Sequence, residues 1–599
     1  MRVSIPTAAS LLMALAISFQ GDGSHGHGHG GHHAQPIVEL NETELARWHS
    51  PTPVSYYTFD IEREGDADLK RRPGFMIAHI ILMSLAFFGA LPIGIILRST
   101  QHPAHGVPML AFYSLTAVGL AASGIYKKAT PNLYEGSVHG KQGYFVLFLA
   151  ASLSAVDIVA GVMRFVSFFR SDDRTFRRFW RYVILSQEVD TRLQGPEYTG
   201  LIVEDPEEYE VHKLGRASDD SPISPTEDET EQWANEVHRH RHLRHASLAS
   251  ERTLFGNQRS NSSDTLNEAA KEKVTLRTRL LKAGQFAFTV LERSILLTGI
   301  VVYTGGCRES YVNGCLAHLI KGGIFWCYGL LTFARFLGSW AEYGWAWNRN
   351  PTNFKYTAEF TESFVIFLYG ITNTWMERFG AKAGDPYSTK QVQHISIAVM
   401  FWFAGLVGMG IESKRVRRWL ASSTFSSVGH TPNAPKDAVE EPASYLGSFN
   451  PFPALVIGVT GAAMAAHFQT YLFQVEIHKL WGNLLVGFSV LRCLTYFFLW
   501  LGPPKSILPS RPPTEALGSF FLACGGMVFM FSTEEVTIAA MRRGRDDVMM
   551  FLNLGVAITC LAFCWTLCMV GFKGYLKSRS HSGVTYRSHP VAATTTQTA

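Results

Sequence analysis

Apolar residues along this chain of 599 residues are gathered into long blocks instead of recurring at the spacing of a half-exposed helix. The first complete block, PGFMIAHIILMSLAFFGALPIGIILR at 73–98, holds no charge between Gly74 and Arg98. A helix rising ~1.5 Å per residue needs about 20 such residues to cross ~30 Å of hydrocarbon. The same criterion predicts spans at 76–97, 107–126, 139–168, 285–304, 316–338, 358–376, 391–412, 452–472, 476–501, 516–540 and 549–572. The pattern is that of an all-α, polytopic helical membrane protein with about 11 transmembrane helices, grouped as three, a polar interval, and about eight.

The blocks that do not fit the criterion set the remaining organisation. Residues 1–20, MRVSIPTAASLLMALAISFQ, carry one Arg and an apolar run too short to span, the form of a secretory signal peptide. The segment 21–72 follows as a lumenal His-rich stretch in which glycine separates His25, His27, His29 and His32, with His33 next to the last. Imidazoles on such a backbone chelate Zn²⁺, Cu²⁺ or Ni²⁺. Asn41-Glu42-Thr43 is an N-glycosylation sequon. The interval 171–284, with DDSPISPTEDETEQ, is too rich in charge, Ser and Pro to bury a core and reads as a disordered cytoplasmic linker, and 576–599 as a disordered tail. Between them lie a three-helix membrane domain at 73–170 and a second membrane domain of about eight helices at 285–575.

Charge adds an orientation. The net charge of +5 is too small and too dispersed for a nucleic-acid partner. Arg170, Arg174, Arg177, Arg178, Arg349, Lys355, Lys414, Arg415, Arg417, Arg418, Lys505, Lys573 and Lys577 instead cluster after the odd-numbered spans. The positive-inside rule then places the N-terminus in the lumen or outside. Arg542, Arg543 and Arg545 run against that rule, offset by Asp546 and Asp547. Six of the eight cysteines sit in apolar runs, whereas Cys307 and Cys315 share one loop that would carry a disulfide on the lumenal side. No Walker loop, dinucleotide fingerprint or nucleophile elbow is present.

Histidines in lipid need a partner. His79 opens the first span and His139 the third, so the topology brings both to one level, where two facing imidazoles suit the axial positions of a b-type haem, with Gly74, Gly140 and Gly143 leaving room. A second set gathers at the lumenal ends of the later spans: His318, Glu377, His394, His467, His478, Glu534 and Glu535. Of these His394, His467, His478 and Glu377 form the candidate ligand set for zinc or another transition metal, and a short turn forces His467 and His478 together. Asp157, Arg164, Glu292, Arg293, Arg335, Glu359, Glu362 and Arg492 lie in apolar runs and are expected to pair across helices, the adjacent Glu292 and Arg293 each with another helix, for example through Arg492 or Glu362.

HIILMSLAFFGALPIGIILR and SVHGKQGYFVLF resemble the helices of cytochrome b561-type proteins that carry axial histidines of one haem, which implies that role for His79 and His139. The span between them, VPMLAFYSLTAVGLAASGIY, lacks the histidine that would hold that family's second haem, and no fourth helix follows before the polar interval. The order of signal peptide, b561-like piece, insert and long helical second half resembles the fungal YTP family of integral membrane proteins, which implies an endomembrane or plasma-membrane address, and the second half faintly resembles the transmembrane-protein-45 group. The expectation is a membrane protein with a lumenal-side haem or metal centre, as a single-haem redox protein. The alternative is a non-enzymatic protein that handles transition metal or acts as a scaffold. Its partners are the bilayer and a metal ion or electron donor. With Asn41 lumenal, N-glycosidase treatment is expected to increase the electrophoretic mobility of the wild-type chain and to leave Asn41→Gln unchanged.

Overall fold

In the computed structural model the described residues are 36–48, 72–185, 295–376, 386–427 and 449–580, apart from a few short gaps. The signal peptide, the His-rich tract, most of the linker, Glu292, Arg293 and Glu377 lie outside them. The helices in chain order are α1 (Glu42–Trp48), α2 (Pro73–Ser99), α3 (Pro103–Ala129), α4 (His139–Leu153), α5 (Ala155–Arg170), α6 (Ile295–Thr304) and α7 (Val312–Leu337). They continue as α8 (Ala358–Met376), α9 (Thr389–Glu412), α10 (Lys414–Ser427), α11 (Phe452–Ala465), α12 (Leu472–Leu501), α13 (Pro513–Phe531), α14 (Glu534–Arg542) and α15 (Val548–Ser580). The one extended pairing among the described residues is an isolated bridge between Ile37 and Tyr471.

Seven of these helices are long and apolar enough to cross a membrane, or eight if α4 and the Ile158–Arg170 part of α5, bent by 64°, count as one. The polytopic helical class holds, and individual spans differ from the expectation. The block at 139–168 is broken into two helices, and 452–472 yields a helix that stops at Ala465. The block at 516–540 is interrupted at Ser532–Thr533, where Thr533 leaves the helical conformation (φ −59°, ψ 143°) and a new helix starts with Glu534 and Glu535 in its first turn. Two carboxylates at a helix start favour a fresh N-terminus over a continuous rod. The expected tail is helical as far as Ser580.

Contacts divide the chain into two compact units, residues 53–306 with 564–599, and residues 1–52 with 307–563. In the first unit Pro73 starts α2, where a missing N–H costs nothing. Pro92 sits mid-helix, preceded by a π-helical stretch at Leu85–Ala90. Proline gives its helix no N–H. The Phe88 carbonyl, four residues before it, accepts the indole Nε1–H of Trp565 at 2.9 Å. Ala86, Leu91, Phe112, Val146 and Ala150 form the core, with Ile295 of α6 packed against it. The block at 285–304, expected with the second half, joins the helices of the first as α6.

In the second unit helices pair closely through small residues. A Cβ on Gly482 would stand 2.5 Å from the Gly461 carbonyl oxygen, and one on Gly322 would stand 2.7 Å from that of Gly526. Only hydrogen lets these backbones touch, the reason for the small-residue runs at 458–466 and 523–527. At the heart of the bundle Trp481 stacks on Phe529 at 4.0 Å. Lipid tails are as apolar as leucine, so close packing and polar pairing decide which helices associate.

The polar pairing is concentrated in one buried network. Arg335 binds Glu359 at 2.5 Å and Glu362 at 3.3 Å; Arg492 binds Glu362 at 3.2 Å and Glu515 at 2.6 Å. Arg335 also donates to the Trp345 carbonyl, and the Trp347 ring lies 3.8 Å from the Arg335 guanidinium carbon and 5.5 Å from that of Arg492. Arg335, Glu359, Glu362 and Arg492 pair across helices as expected, whereas Glu292 and Arg293, expected to reach Arg492 or Glu362, lie outside the described residues, and Glu515 takes part unforeseen.

The start of the described chain is stitched to the same unit. Ile37 donates to the Thr470 carbonyl at 2.9 Å and accepts from the Leu472 N–H at 3.0 Å. Leu45 of α1 packs with Tyr311 and Ile538. Glu42 holds Arg542 through two oxygens at 2.7 and 2.8 Å. That contact accounts for one of the arginines that ran against the charge rule, and it lowers the Glu42 carboxyl below the usual range. Cys307 and Cys315 are joined as a disulfide, their Cα atoms 5.3 Å apart.

Two arginines test the difference between buried and exposed pairing. Arg492→Ala, which strands Glu515 at 1% exposure, is expected to destabilise the protein by ~3–5 kcal/mol. Arg542→Ala should change stability by no more than ~1 kcal/mol at neutral pH. Because the folded Glu42 carboxyl titrates lower than the unfolded one, that smaller effect is fully present above the ordinary carboxylate range and fades as pH falls through it. Unfolding temperatures of the detergent-purified variants across pH check both.

Candidate functional site

His79 on α2 and His139 at the start of α4 are brought together in the first unit, their ring centroids 6.4 Å apart and their planes at 83°. Each ring has its Nδ1 engaged. His79 Nδ1 lies 2.9 Å from the Gly119 carbonyl oxygen on α3. A carbonyl only accepts, so the proton is on Nδ1 and the lone pair on Nε2. His139 Nδ1 lies 3.1 Å from the Thr298 hydroxyl. Thr298 gives its own hydrogen to the Ile295 carbonyl at 3.0 Å, so its oxygen receives the imidazole proton and His139 too carries its lone pair on Nε2. Fixing the tautomer through the far nitrogen is what orients imidazoles that bind metals.

A Cβ added at Gly74, Gly140 or Gly143 would meet nothing within 4 Å, but one at Gly299 would stand 3.1 Å from His139 Cε1. Thr298 and Gly299, both on α6, therefore belong to the site and were missed. A Thr-Gly pair inside an apolar run carries no signal of its own until the fold returns that run across the long insert. The helix that carries them follows the polar interval in sequence yet packs in the first unit.

The second set of histidines gathers in the second unit. His394 at the start of α9 stacks on His467 after α11, centroids 6.0 Å apart at 21°. His318 near the start of α7 meets His478 near the start of α12 edge-on at 5.8 Å. His318 and His478 both place Nδ1 on the carbonyl one turn back, Gly314 and Gln474, at 2.8 Å each, which again puts the lone pair on Nε2. Gln469 links the two pairs. Its amide nitrogen lies 3.1 Å from His467 Nδ1 and 3.4 Å from His478 Nε2. Three of the four candidate metal residues are thus in one cluster; Glu377 lies outside the described residues. Gln469 was missed because an amide between two histidines reads as an ordinary turn residue.

A third group, Cys307, Cys315 and Glu535, is the sole set of three potential ligands within 4.8 Å of one another among the described residues. Its two sulfurs are already bonded to each other, so it is a capped disulfide. Glu535 accepts the Cys307 backbone N–H at 2.8 Å.

Comparison with known proteins gives these sites a setting. The C-terminal model of YTP1-like proteins matches residues 293–574, and a domain of unknown function, DUF2427, matches residues 62–167. An uncharacterized membrane protein of Schizosaccharomyces pombe, C3B8.06, is 32% identical over 523 residues, 84% of this chain and 95% of the relative. The uncharacterized membrane protein YCR061W of Saccharomyces cerevisiae is 38% identical over 286 residues, 45% of this chain and 44% of the relative. Protein YTP1 of the same yeast is 25% identical over 325 residues, 52% of this chain and 61% of the relative. No solved structure matches the chain.

Burial of Glu535 raises its carboxyl above the ordinary range, the Cys307 N–H opposing the shift. A carboxyl that titrates higher when folded favours the fold in its protonated form, and that contribution is lost as pH rises through the raised value. Glu535→Gln keeps an acceptor for the Cys307 N–H and cannot ionise. Its unfolding temperature relative to wild type is therefore expected to rise between pH 4 and pH 8, read by thermal unfolding in detergent.

Proposed function

The chain belongs to the YTP1-like family of membrane proteins, and from that premise we propose that it is a single-haem redox protein whose one b-type haem is held by His79 and His139. The observation that carries this reading is the spacing of the two rings, 6.4 Å between centroids. Two imidazoles on opposite sides of one iron, each nitrogen ~2 Å from it, have ring centres a little over ~6 Å apart. Both Nδ1 atoms are committed to outer partners, so the nitrogens left for coordination are the Nε2 pair. A haem bound there supplies one-electron chemistry at a potential set by its axial ligands and its burial.

The remaining tasks belong to residues of this chain. Gly119 and the Ile295–Thr298 relay hold the rings in the ligating tautomer, and Gly299 keeps a side chain off the His139 face. The core of Phe112, Val146 and Ala150 excludes water two turns further along α4. The span at 107–126 offers no histidine for a second haem, so electrons enter and leave this site on one side of the bilayer instead of crossing it. In the same reading the side of the second unit that carries Asn41 and the Cys307–Cys315 disulfide is lumenal or extracellular, the compartment in which a disulfide persists and the sequon at Asn41 can be used. The location is an endomembrane or the plasma membrane.

The absorption spectrum of the detergent-purified, full-length protein tests the assignment. A Soret band that shifts on reduction with dithionite, lost in His79→Ala and His139→Ala and altered in Thr298→Val, is the expected result. A colourless wild-type protein from haem-replete cells, or a spectrum unchanged in both histidine variants, removes the haem.

A further inference from the structure

Gln469 carries an inference independent of the haem. Its amide NH₂ is the meeting point of two imidazole lone pairs, 3.1 Å from His467 Nδ1 and 3.4 Å from His478 Nε2. The lone pair of His478 is assigned by its own helix, which takes the Nδ1 proton at the Gln474 carbonyl, and that of His467 by the amide, whose N–H can only donate. An NH₂ group held by converging lone pairs from different segments occupies the place of a small cation. His318 and His394 flank it, one ring beside His478 and one beside His467. Two imidazoles on one tetrahedral metal stand with centroids ~5 Å apart, so separations of 5.8 and 6.0 Å are within about an ångström of ligation. With the amide in place no three of these nitrogens lie within 4.8 Å of one another; the side chain of Gln469 has to withdraw before an ion enters.

A second observation points to the same place. A cavity of about 50 Å³ adjoins the cluster, lined by His394, Lys321, Asn373, Thr460 and Trp481. Trp481 is fully buried, and its indole Nε1–H has no acceptor. A space of that size holds one or two waters, and an orphaned donor on its wall suits a water or hydroxide that completes the shell of a metal held by histidines.

We propose that His318, His394, His467 and His478 form a binding site for one divalent first-row transition ion, occupied in exchange for the Gln469 amide. Imidazole without thiolate suits Zn²⁺, Cu²⁺ or Ni²⁺. The site acquires or releases its ion by moving one neutral side chain, with no net charge brought into the bundle except the ion's own.

Zinc is the probe. Full-length protein in detergent, with His25, His27, His29, His32 and His33 all changed to Asn so that only the internal site is counted, is stripped with EDTA, titrated with Zn²⁺ and assayed by elemental analysis and thermal unfolding. About one Zn²⁺ per chain, with unfolding raised by several degrees, is expected. His467→Asn and His478→Asn should bind at least ~10-fold more weakly, and Gln469→Ala, which still folds the turn, should bind several-fold more tightly. A stripped protein that takes up no Zn²⁺, affinity unchanged by His478→Asn, or affinity unchanged by Gln469→Ala would overturn the proposal. The haem spectrum of the same variants is expected to stay that of wild type, so the two assignments fail separately.

Discussion

Hydrocarbon offers no water to a polar group, and each donor and acceptor inside a membrane helix has to be answered by another part of the chain. That constraint accounts for the most particular contacts in this protein. Pro92 leaves its helix short of an N–H, and the indole of Trp565 comes to the Phe88 carbonyl. Arg335 and Arg492 are answered by three carboxylates and the ring of Trp347. His79 and His139 are answered at one nitrogen each, by Gly119 and Thr298. The remaining nitrogen of each ring is its Nε2, the pair to which the proposed haem is assigned.

The membrane class was legible because the cost of a charge in lipid forces apolar residues into blocks, and blocks survive in a one-dimensional string. That the ionisable groups of the spans pair across helices was legible for the same reason, but which carboxylates answer Arg492 was not, since Glu362 and Glu515 come to it only in the folded bundle. What the string concealed was anything that depended on a return across distance. Thr298 and Gly299 sit in a short apolar run 159 residues from His139 in the case of Thr298, and nothing local marks them. The break at Ser532–Thr533 was concealed differently, since hydropathy does not register Thr and two acids that restart a helix. Gln469 needed the positions of two rings before its role could be seen.

The two histidine systems differ in how they are held. In the first unit each imidazole is fixed by a separate helix, α3 for His79 and α6 for His139, so its geometry depends on three-dimensional packing of an ordered bundle. In the second unit His318 and His478 are fixed by carbonyls of their own helices, and the joining element is a side chain in a turn. A rigid pair suits a ligand that stays; a movable amide suits one that comes and goes.

The bond between Glu42 and Arg542 joins residues 500 positions apart. At the pace of ~5–20 residues per second at which ribosomes extend a chain, roughly 25 to 100 s separate the synthesis of the two. Throughout that interval α1 has neither Arg542 nor Ile538 to dock on, and the turn that receives Ile37 is itself made more than 430 residues later, as the gap from Ile37 to Thr470 requires. The first described segment of the protein thus reaches its place only after Arg542 has been made, and until then Asn41 has no folded face beside it.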